Sequence, residues 1–161
     1  MAYTPNEHTT IDEQLVVFRG KCPFHVFIKS KPGKYGMKLW VAADAKNFYA
    51  CSMQVYAGKS GGVREKKQDL QVIKDMVCHM YGTWRGVTSD SFFTSCELAN
   101  FLLSENMTVV GTLRKNKPEI PALYLSGKQR NVHSSIFRFT NGLTLVSYVP
   151  ARNKTAIVFS S

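Results

Sequence analysis

Hydrophobic and polar positions along the chain change their spacing several times, and each spacing predicts a type of element. Apolar residues at helical spacing predict a helix over about 64–80. Thr94 and Glu97 match the Ser/Thr-x-x-Glu capping box, which predicts a second helix running through Leu103. Apolar runs bounded by turn residues predict strands over 10–18, 37–43, 48–57, 84–88, 107–112, 135–139, 143–148 and 156–159.

The order of these elements predicts the fold class. The series is β-β-β-α-β-α-β followed by a β-rich C-terminal appendage, and it predicts an α/β fold with a ribonuclease H-like mixed sheet. A right-handed crossover would place the later strand beside the first, although the strands alone also permit other mixed sheets. We expect 161 residues to form a single domain, with a core over about 8–113 and the appendage over about 132–161.

Two aspartates carry the candidate chemistry. Asp12 lies in the run TIDEQLVVFRGKCPF and Asp90 in VTSDSFFTS, at a predicted strand edge and strand end. In the predicted topology they would be neighbours, and paired carboxylates bind Mg²⁺ or Mn²⁺ for phosphoryl transfer. A complete site of this kind usually has a third acid, and no convincing candidate follows before Ser161. The alternative is that Asp12 is a solvated acid at the start of a strand and that Asp90 caps the next helix.

The charge of the chain predicts a polyanionic partner. Twenty-one basic and 11 acidic residues give a net charge of +10, which favours nucleic acid through counterion release. The rings of Trp40, Trp84, Phe92 and Phe93 have apolar neighbours, so we expect them in the core rather than stacked on bases. The candidate phosphate contacts, each of which could instead be an ordinary solvated residue, are Lys29, Lys31, Lys34, Lys38, Arg114, Lys115, Lys117, Lys128 and Arg130.

The cysteines, the histidines and the lengths of the apolar runs argue against a disulfide-bonded, zinc-binding, membrane-spanning or secreted protein. The four cysteines are widely spaced and form no CxxC pair, which favours reduced thiols in an intracellular compartment over disulfides or zinc. The four histidines show no ligand spacing. No apolar run approaches the roughly 20 residues that span a bilayer, and the N-terminus has no secretory pattern, so we expect no membrane partner.

A series of motifs covers nearly the whole chain: Tyr3 and Pro5, TIDEQLVVFRGKCPF, SKPGKYGMKLW, SDSFFTS, VGTLRKNKPEIP, LTLVSYVP and the terminal FSS. With these motifs in this order, the chain resembles the catalytic domain of piggyBac-family transposases. The resemblance implies a ribonuclease H-like domain whose acid triad cuts and joins transposon DNA with a divalent metal. It makes Asp12 the first acid and Asp90 the second. It also implies double-stranded DNA as partner, a nuclear location and a possible homodimer in a full-length form.

Two departures from the family pattern modify this expectation. Ser91 follows the second acid where the family usually has Asn, and the third acid belongs to a later motif outside the match. The family's N-terminal helical region and cysteine-rich C-terminal module are not matched either. We therefore expect a truncated or domesticated DDE transposase domain that binds DNA without transposition activity alone, its metal site weakly occupied. The alternatives are a domesticated protein-interaction module and a fragment of an active transposase.

Overall fold

The computed structural model of the chain describes residues 3–58 and 68–161. It consists of two compact units, residues 1–80 and 81–161, which divide between Met80 and Tyr81. Each unit is built around its own set of paired strands with helices packed on them. The chain is therefore a mixed α/β protein dominated by sheet, and this part of the predicted fold class is confirmed.

The N-terminal unit is organised around one long strand. Its elements are β1 (His8–Val17), β2 (His25–Phe27), β3 (Tyr35–Asp44), β4 (Ala50–Val55) and α1 (Gln68–Val77), and α1 continues into a 3-10 turn (Cys78–Met80). Antiparallel β1 pairs along one side of β3, while β2 and β4 pair with successive parts of its other side. The predicted strand over 37–43 is thus the central strand, as expected, but it begins two residues earlier.

Alternation along β1 decides which residues are buried in this unit. Thr9 and Ile11 are buried opposite Asp44 and Ala42 of β3, and Thr9 Oγ1 donates to Met80 Sδ at 3.5 Å. That contact places the end of the helical segment on this face of the strand pair. The intervening Asp12 is exposed, because successive side chains of a strand point to opposite faces.

The C-terminal unit contains a parallel strand pair extended by antiparallel strands. Its elements are β5 (Gly86–Ser89), α2 (Cys96–Ser104), β6 (Thr108–Thr112), α3 (Ala122–Leu125), β7 (Ser135–Thr140), β8 (Leu143–Ala151) and β9 (Lys154–Ser160). The strands lie in the order β5-β6-β9-β8-β7. Helix α2 connects β5 to the parallel β6, and the predicted Asn141-Gly142 hairpin turn has both residues at positive φ.

Several elements differ from their predicted form. Strand β2 and helix α3 were not predicted, because three or four residues carry too little periodicity to be recognised. The start of the predicted helix, residues 64–67, lies outside the described residues, and α1 spans Gln68–Val77 within them. Strand β9 pairs with β6 along Val110–Thr112, so the strands of the expected appendage continue the sheet of β5 and β6.

Two local predictions are wrong. The side chain that caps α2 is that of Ser95, which accepts from Leu98 N–H at 3.1 Å, one residue later than the predicted cap at Thr94. Trp84 was expected in the core, yet 67% of its surface is exposed, because it lies in the turn before β5 rather than within the strand. Trp40 and Phe93 are buried as predicted. None of the helices in the described ranges is long and apolar enough to span a membrane.

Candidate functional site

Asp12 lies in the middle of β1, opposite Val41 of β3. Its Oδ1 accepts a hydrogen bond of 2.7 Å from the backbone N–H of Glu13, and the side chain is exposed. Within the described residues its Oδ2 takes no protein donor. The strand therefore holds the carboxylate at a fixed position in solvent, with one oxygen available to a ligand.

The neighbouring acid, Glu13, differs from Asp12 because its side chain forms an ion pair within the protein. Its Oε2 lies 2.6 Å from Lys38 Nζ, and both side chains are partly buried. Lys31 Nζ donates to the backbone carbonyl of Glu13 at 3.0 Å, and Lys38 Nζ also lies 3.8 Å from the centroid of the Trp40 ring. Alternation places Glu13 on the face opposite Asp12, where it is neutralised by a lysine. Glu13 is therefore a structural ion-pair partner.

Asp90 follows directly after β5. Its Oδ1 accepts from the backbone N–H of Phe92 at 2.9 Å, forming an Asx turn, and its backbone carbonyl accepts from the N–H of Phe93 and from Thr94 Oγ1. Asp90 does not cap α2, because Ser95 does, so that alternative for Asp90 is wrong. The carboxylate is exposed at the carboxyl end of a parallel strand, the edge at which ligands bind in α/β sheets.

An arginine approaches the same edge of the C-terminal unit. Arg114 follows the end of β6, and its guanidinium carbon lies 5.5 Å from the centroid of the Phe92 ring. Phe92 belongs to the turn that holds Asp90, so the carboxyl ends of β5 and β6 bring an acid and a cation to one place. Exposed Lys115 comes next in the chain. The sequence predicted Asp90 and Arg114 separately, but no motif indicated that an aromatic ring links them.

The other predicted DNA contacts divide into exposed and engaged cations. Lys29, Lys34 and Lys128 are exposed, whereas Lys31, Lys38 and Lys117 are partly buried. Arg130 is engaged within the protein, because its guanidinium donates to Ser147 Oγ at 2.8 Å, to Ser147 O at 2.7 Å and to Ser134 O at 3.2 Å. The exposed members can reach a phosphate without losing a protein partner. Lys38 and Arg130 would have to exchange their present contacts.

Metal-binding potential rests on the two aspartates. In residues 3–58 and 68–161, no group of three or more His, Cys, Asp or Glu side chains is placed to hold a metal ion. All four cysteines are free thiols, and burial raises the pKa of Cys51 and Cys96, which disfavours the thiolate that a metal requires. The exposed carboxylates of Asp12 and Asp90, each with a second oxygen to offer, suit the oxygen chemistry of Mg²⁺ or Mn²⁺. Their joint action stays a prediction.

A third aspartate that the sequence gave no reason to single out is buried. Asp44, at the end of β3, accepts from Asn6 N–H at 2.6 Å, Asn6 Nδ2 at 3.0 Å, Tyr3 OH at 2.8 Å and Lys46 N–H at 2.8 Å. These donors, the Asn6 backbone foremost, hold the pKa of Asp44 well below its usual range, although burial opposes them. Asp44 fastens the N-terminal segment to the β3–β4 turn. Because its carboxylate already accepts four hydrogen bonds, Asp44 suits a structural role.

Comparisons with known proteins show what this chain is similar to. A family model described as Transposase IS4 matches residues 1–161. The human PiggyBac transposable element-derived protein 3 and the human Chimeric ERCC6-PGBD3 protein are each 30% identical over 123 residues, which cover 72% of this chain. A cryo-EM structure of a piggyBac transposase synaptic complex with hairpin DNA is similar at a TM-score of 0.90 and 39% identity, over 98% of this chain. The matched parts make up 20%, 11% and 34% of those three chains, respectively.

Proposed function

Because the chain belongs to the piggyBac family of transposases, we propose that it is a DNA-binding transposase domain with a ribonuclease H-like core, in which Asp12 and Asp90 are ligands of a shared divalent ion. The observation that carries the proposal is the edge formed by β5 and β6, where exposed Asp90 and Arg114 are linked through Phe92. A carboxylate for a metal and a guanidinium for a phosphate are the groups that a DNA-processing site needs side by side.

DNA binding is supported by charge and by kinship. The chain carries +10, and the solved relative is a complex with hairpin DNA. We expect weak binding to duplex DNA with little sequence preference, falling steeply between roughly 50 and 200 mM salt as counterions compete for the phosphates. Fluorescence anisotropy with a labelled duplex measures both properties. Binding that is missing at low salt, or that is insensitive to salt, would refute the proposal.

Charge variants locate the DNA-binding surface. Replacing Arg114 and Lys115 together by Gln should weaken duplex binding. It should also reduce the slope of log affinity against log salt concentration by about 2, the value expected for the loss of two phosphate contacts. The matched control replaces exposed Lys21 and Lys46, which have the same charge but lie in the N-terminal unit outside the predicted set. Equal losses in both variants would mean that only net charge matters, and that the edge of β5 and β6 is not the binding surface.

The metal proposal can be tested without catalysis. When bound, a divalent ion would activate the attacking oxygen and stabilise the leaving one, while Asp12 and Asp90 hold it in place. Electron paramagnetic resonance of Mn²⁺ measures binding in Asp12→Asn, Asp90→Asn and the double variant. A shared ion requires that either single change lowers the affinity and that the double change adds little, with Asp75→Asn on α1 as the control. Additive losses would indicate two independent sites.

We expect the 161-residue chain alone neither to nick nor to join transposon-end DNA. The family resemblance gives the third acid to a later motif, and the acids that follow Asp90 here occupy other positions. Glu97 lies in the first turn of α2, Glu105 at its C-terminal end, and Glu119 in the loop before α3. Metal-dependent cleavage of supercoiled plasmid that disappears in Asp12→Ala or Asp90→Ala would contradict this and make the chain a minimal nuclease.

One observation favours a protein-binding role as a second candidate. Trp84 is 67% exposed and adopts a positive φ of 56°, and exposed tryptophans are frequent anchors of protein interfaces. The expected partner would be a second copy of the chain. Sedimentation analysis of the wild type and Trp84→Ala tests this, because a dimer that depends on Trp84 while DNA affinity is unchanged would establish the second role. A monomer in both cases would remove it.

A further inference from the structure

Two phenylalanines form an exposed pair of rings on the edge strand of the C-terminal unit. Phe137 and Phe139 alternate along β7, so both lie on the same face, and they are 56% and 72% exposed. Their rings are nearly parallel, with an interplanar angle of 4° and a centroid separation of 6.2 Å. Parallel, separated rings on a strand present flat apolar faces to solvent.

Two further aromatic side chains extend this pair into a row. Tyr148 of β8 pairs with Ser135, which lies on the same face of β7 as Phe137 and Phe139. The ring of His133 lies 6.1 Å from that of Tyr148, and His133 Nδ1 is within hydrogen-bond distance of Tyr148 OH, at 2.7 Å. We call His133, Tyr148, Phe137 and Phe139 the aromatic row.

The strand that carries the row is held in place from its other side. Tyr124 OH donates to the backbone carbonyl of Phe137 at 3.1 Å. Arg130 bonds both to Ser147, beside Tyr148 in β8, and to Ser134, beside β7. The row is therefore preorganised, which lowers the entropic cost of ordering it around a ligand.

The charge around the row indicates the class of ligand. Residues 120–161 contain no Asp or Glu and five basic residues. Four of these, Lys128, Arg138, Arg152 and Lys154, are exposed, Arg138 on the face of β7 opposite the two rings. Arg152 and Lys154 lie in or beside the β8–β9 turn, where Ala151 pairs with Lys154, and the Thr155 hydroxyl donates to Leu125 O, which brings the 125–128 segment alongside. This turn follows the end of β8 that carries Tyr148, so cations lie beyond one end of the row.

We propose that the aromatic row binds unpaired bases of single-stranded DNA. Phe137 and Phe139 stack on successive bases, and Lys128, Arg152 and Lys154 contact the phosphates that follow. Aromatic stacking and a basic track are the two components of sequence-tolerant single-strand binding. An apolar protein partner would not need a segment without acids, so the charge favours a polyanion. The inference builds on the proposed DNA binding and adds the strand state that this surface recognises.

The test compares single-stranded and duplex DNA on the whole 161-residue chain. Fluorescence anisotropy measures binding of a labelled 15-nucleotide oligothymidine and of a 15-base-pair duplex, and 2-aminopurine within the single strand reports stacking by the quenching of its emission. Phe137→Leu/Phe139→Leu keeps apolar side chains and removes the aromatic faces. We expect it to weaken single-strand binding by roughly tenfold or more and to abolish the quenching, while duplex affinity changes less than about twofold.

Phe27→Leu is the matched control, since Phe27 is 55% exposed but lies in the N-terminal unit in tilted contact with Tyr35. Phe139→Leu alone serves if the double variant does not fold, and the same quenching loss is expected. Retained quenching in the folded Phe139→Leu or double variant would overturn the proposal, as would duplex binding without single-strand binding by the wild type. Loss of self-association with unchanged single-strand binding would assign the row to a protein interface instead. Failure to bind either DNA would refute the proposed function as well.

Discussion

Two aspartates on neighbouring strands of the N-terminal unit have opposite environments. Asp44, at the end of β3, is completely buried and accepts four hydrogen bonds, whereas Asp12, in β1, is exposed and accepts one. The carboxylate of Asp44 accepts its hydrogen bonds from other parts of the protein, whereas that of Asp12 keeps an oxygen available for a ligand. The same residue type therefore stabilises the chain in one position and is available for chemistry in the other.

Removing the buried carboxylate should produce the largest effect on stability. Asp44→Ala leaves the Asn6 and Lys46 amides and the Tyr3 hydroxyl without their acceptor, and unsatisfied donors are costly. We expect the melting temperature to fall by roughly 5 °C or more. Asp12→Ala is the matched control and should change it by about 1 °C or less, because exposed side chains contribute little. Equal shifts in the two variants would show that the environments do not differ energetically.

Lowering the pH should weaken the hydrogen bonds to the Asp44 carboxylate. The folded-state pKa of Asp44 lies below its unfolded value of about 3.9, so the stability it contributes is complete above that value and is lost as the pH falls below it. Urea unfolding at pH 7, 5, 4 and 3 should show the wild type more stable than Asp44→Asn at neutral pH, with the difference shrinking below about pH 4. A difference that stayed constant down to pH 3 would mean that the ionised form is not favoured in the folded chain.

Substitution of Gly111, which lies next to the Asp90 turn, should have an effect on stability of intermediate size. Gly111 of β6 pairs with Ser89, and an added Cβ would collide with Thr94 Oγ1 and lie 2.5 Å from Ser89 O. Because Thr94 Oγ1 donates to the carbonyl of Asp90, Gly111→Ala should displace the turn. Overpacking of this kind costs about 1–3 kcal/mol.

Two measurements test this expectation, urea unfolding for stability and Mn²⁺ affinity for the position of Asp90. Thr112→Ala, at the next and exposed position, is the control and should alter neither. If Gly111→Ala lowers stability but leaves Mn²⁺ affinity intact, the Asp90 carboxylate is not a ligand or its turn tolerates the shift.

The sequence predicted much of the fold because the main elements have a clear local signal. The apolar run at β1, the helical spacing in α1, the capping-box pattern before α2 and Asn141-Gly142 between β7 and β8 are patterns within a few residues. Contacts between distant positions were not predictable in this way. The donors to Asp44 come from Tyr3 and Asn6, about forty positions away, and no local pattern links them.

The candidate site shows the same limit. Composition and resemblance singled out Asp12, Asp90 and the basic residues, but all basic residues look alike in sequence. Only the structure shows that Arg130 is bound to Ser147 and Lys38 to Glu13, whereas Arg114 lies over Phe92. The exposure of Trp84 was not predicted, because a tryptophan in an apolar segment favours burial. The backbone N–H of Trp84 donates to Asn106 O, a contact between distant positions that no local pattern indicates.

The smallest expected effects distinguish an engaged lysine from an available one. Lys38 is paired with Glu13 and lies over Trp40, so Lys38→Gln should lower the free energy of unfolding by up to about 1 kcal/mol. It should leave the salt dependence of duplex binding unchanged. Lys34→Gln should do the reverse, because Lys34 is exposed in the loop before β3: stability stays the same and the salt slope falls by about 1. Urea unfolding and anisotropy at several salt concentrations measure both. A loss of slope in Lys38→Gln equal to that in Lys34→Gln would mean that DNA displaces the Glu13 pair, and that Lys38 belongs to the DNA-binding surface.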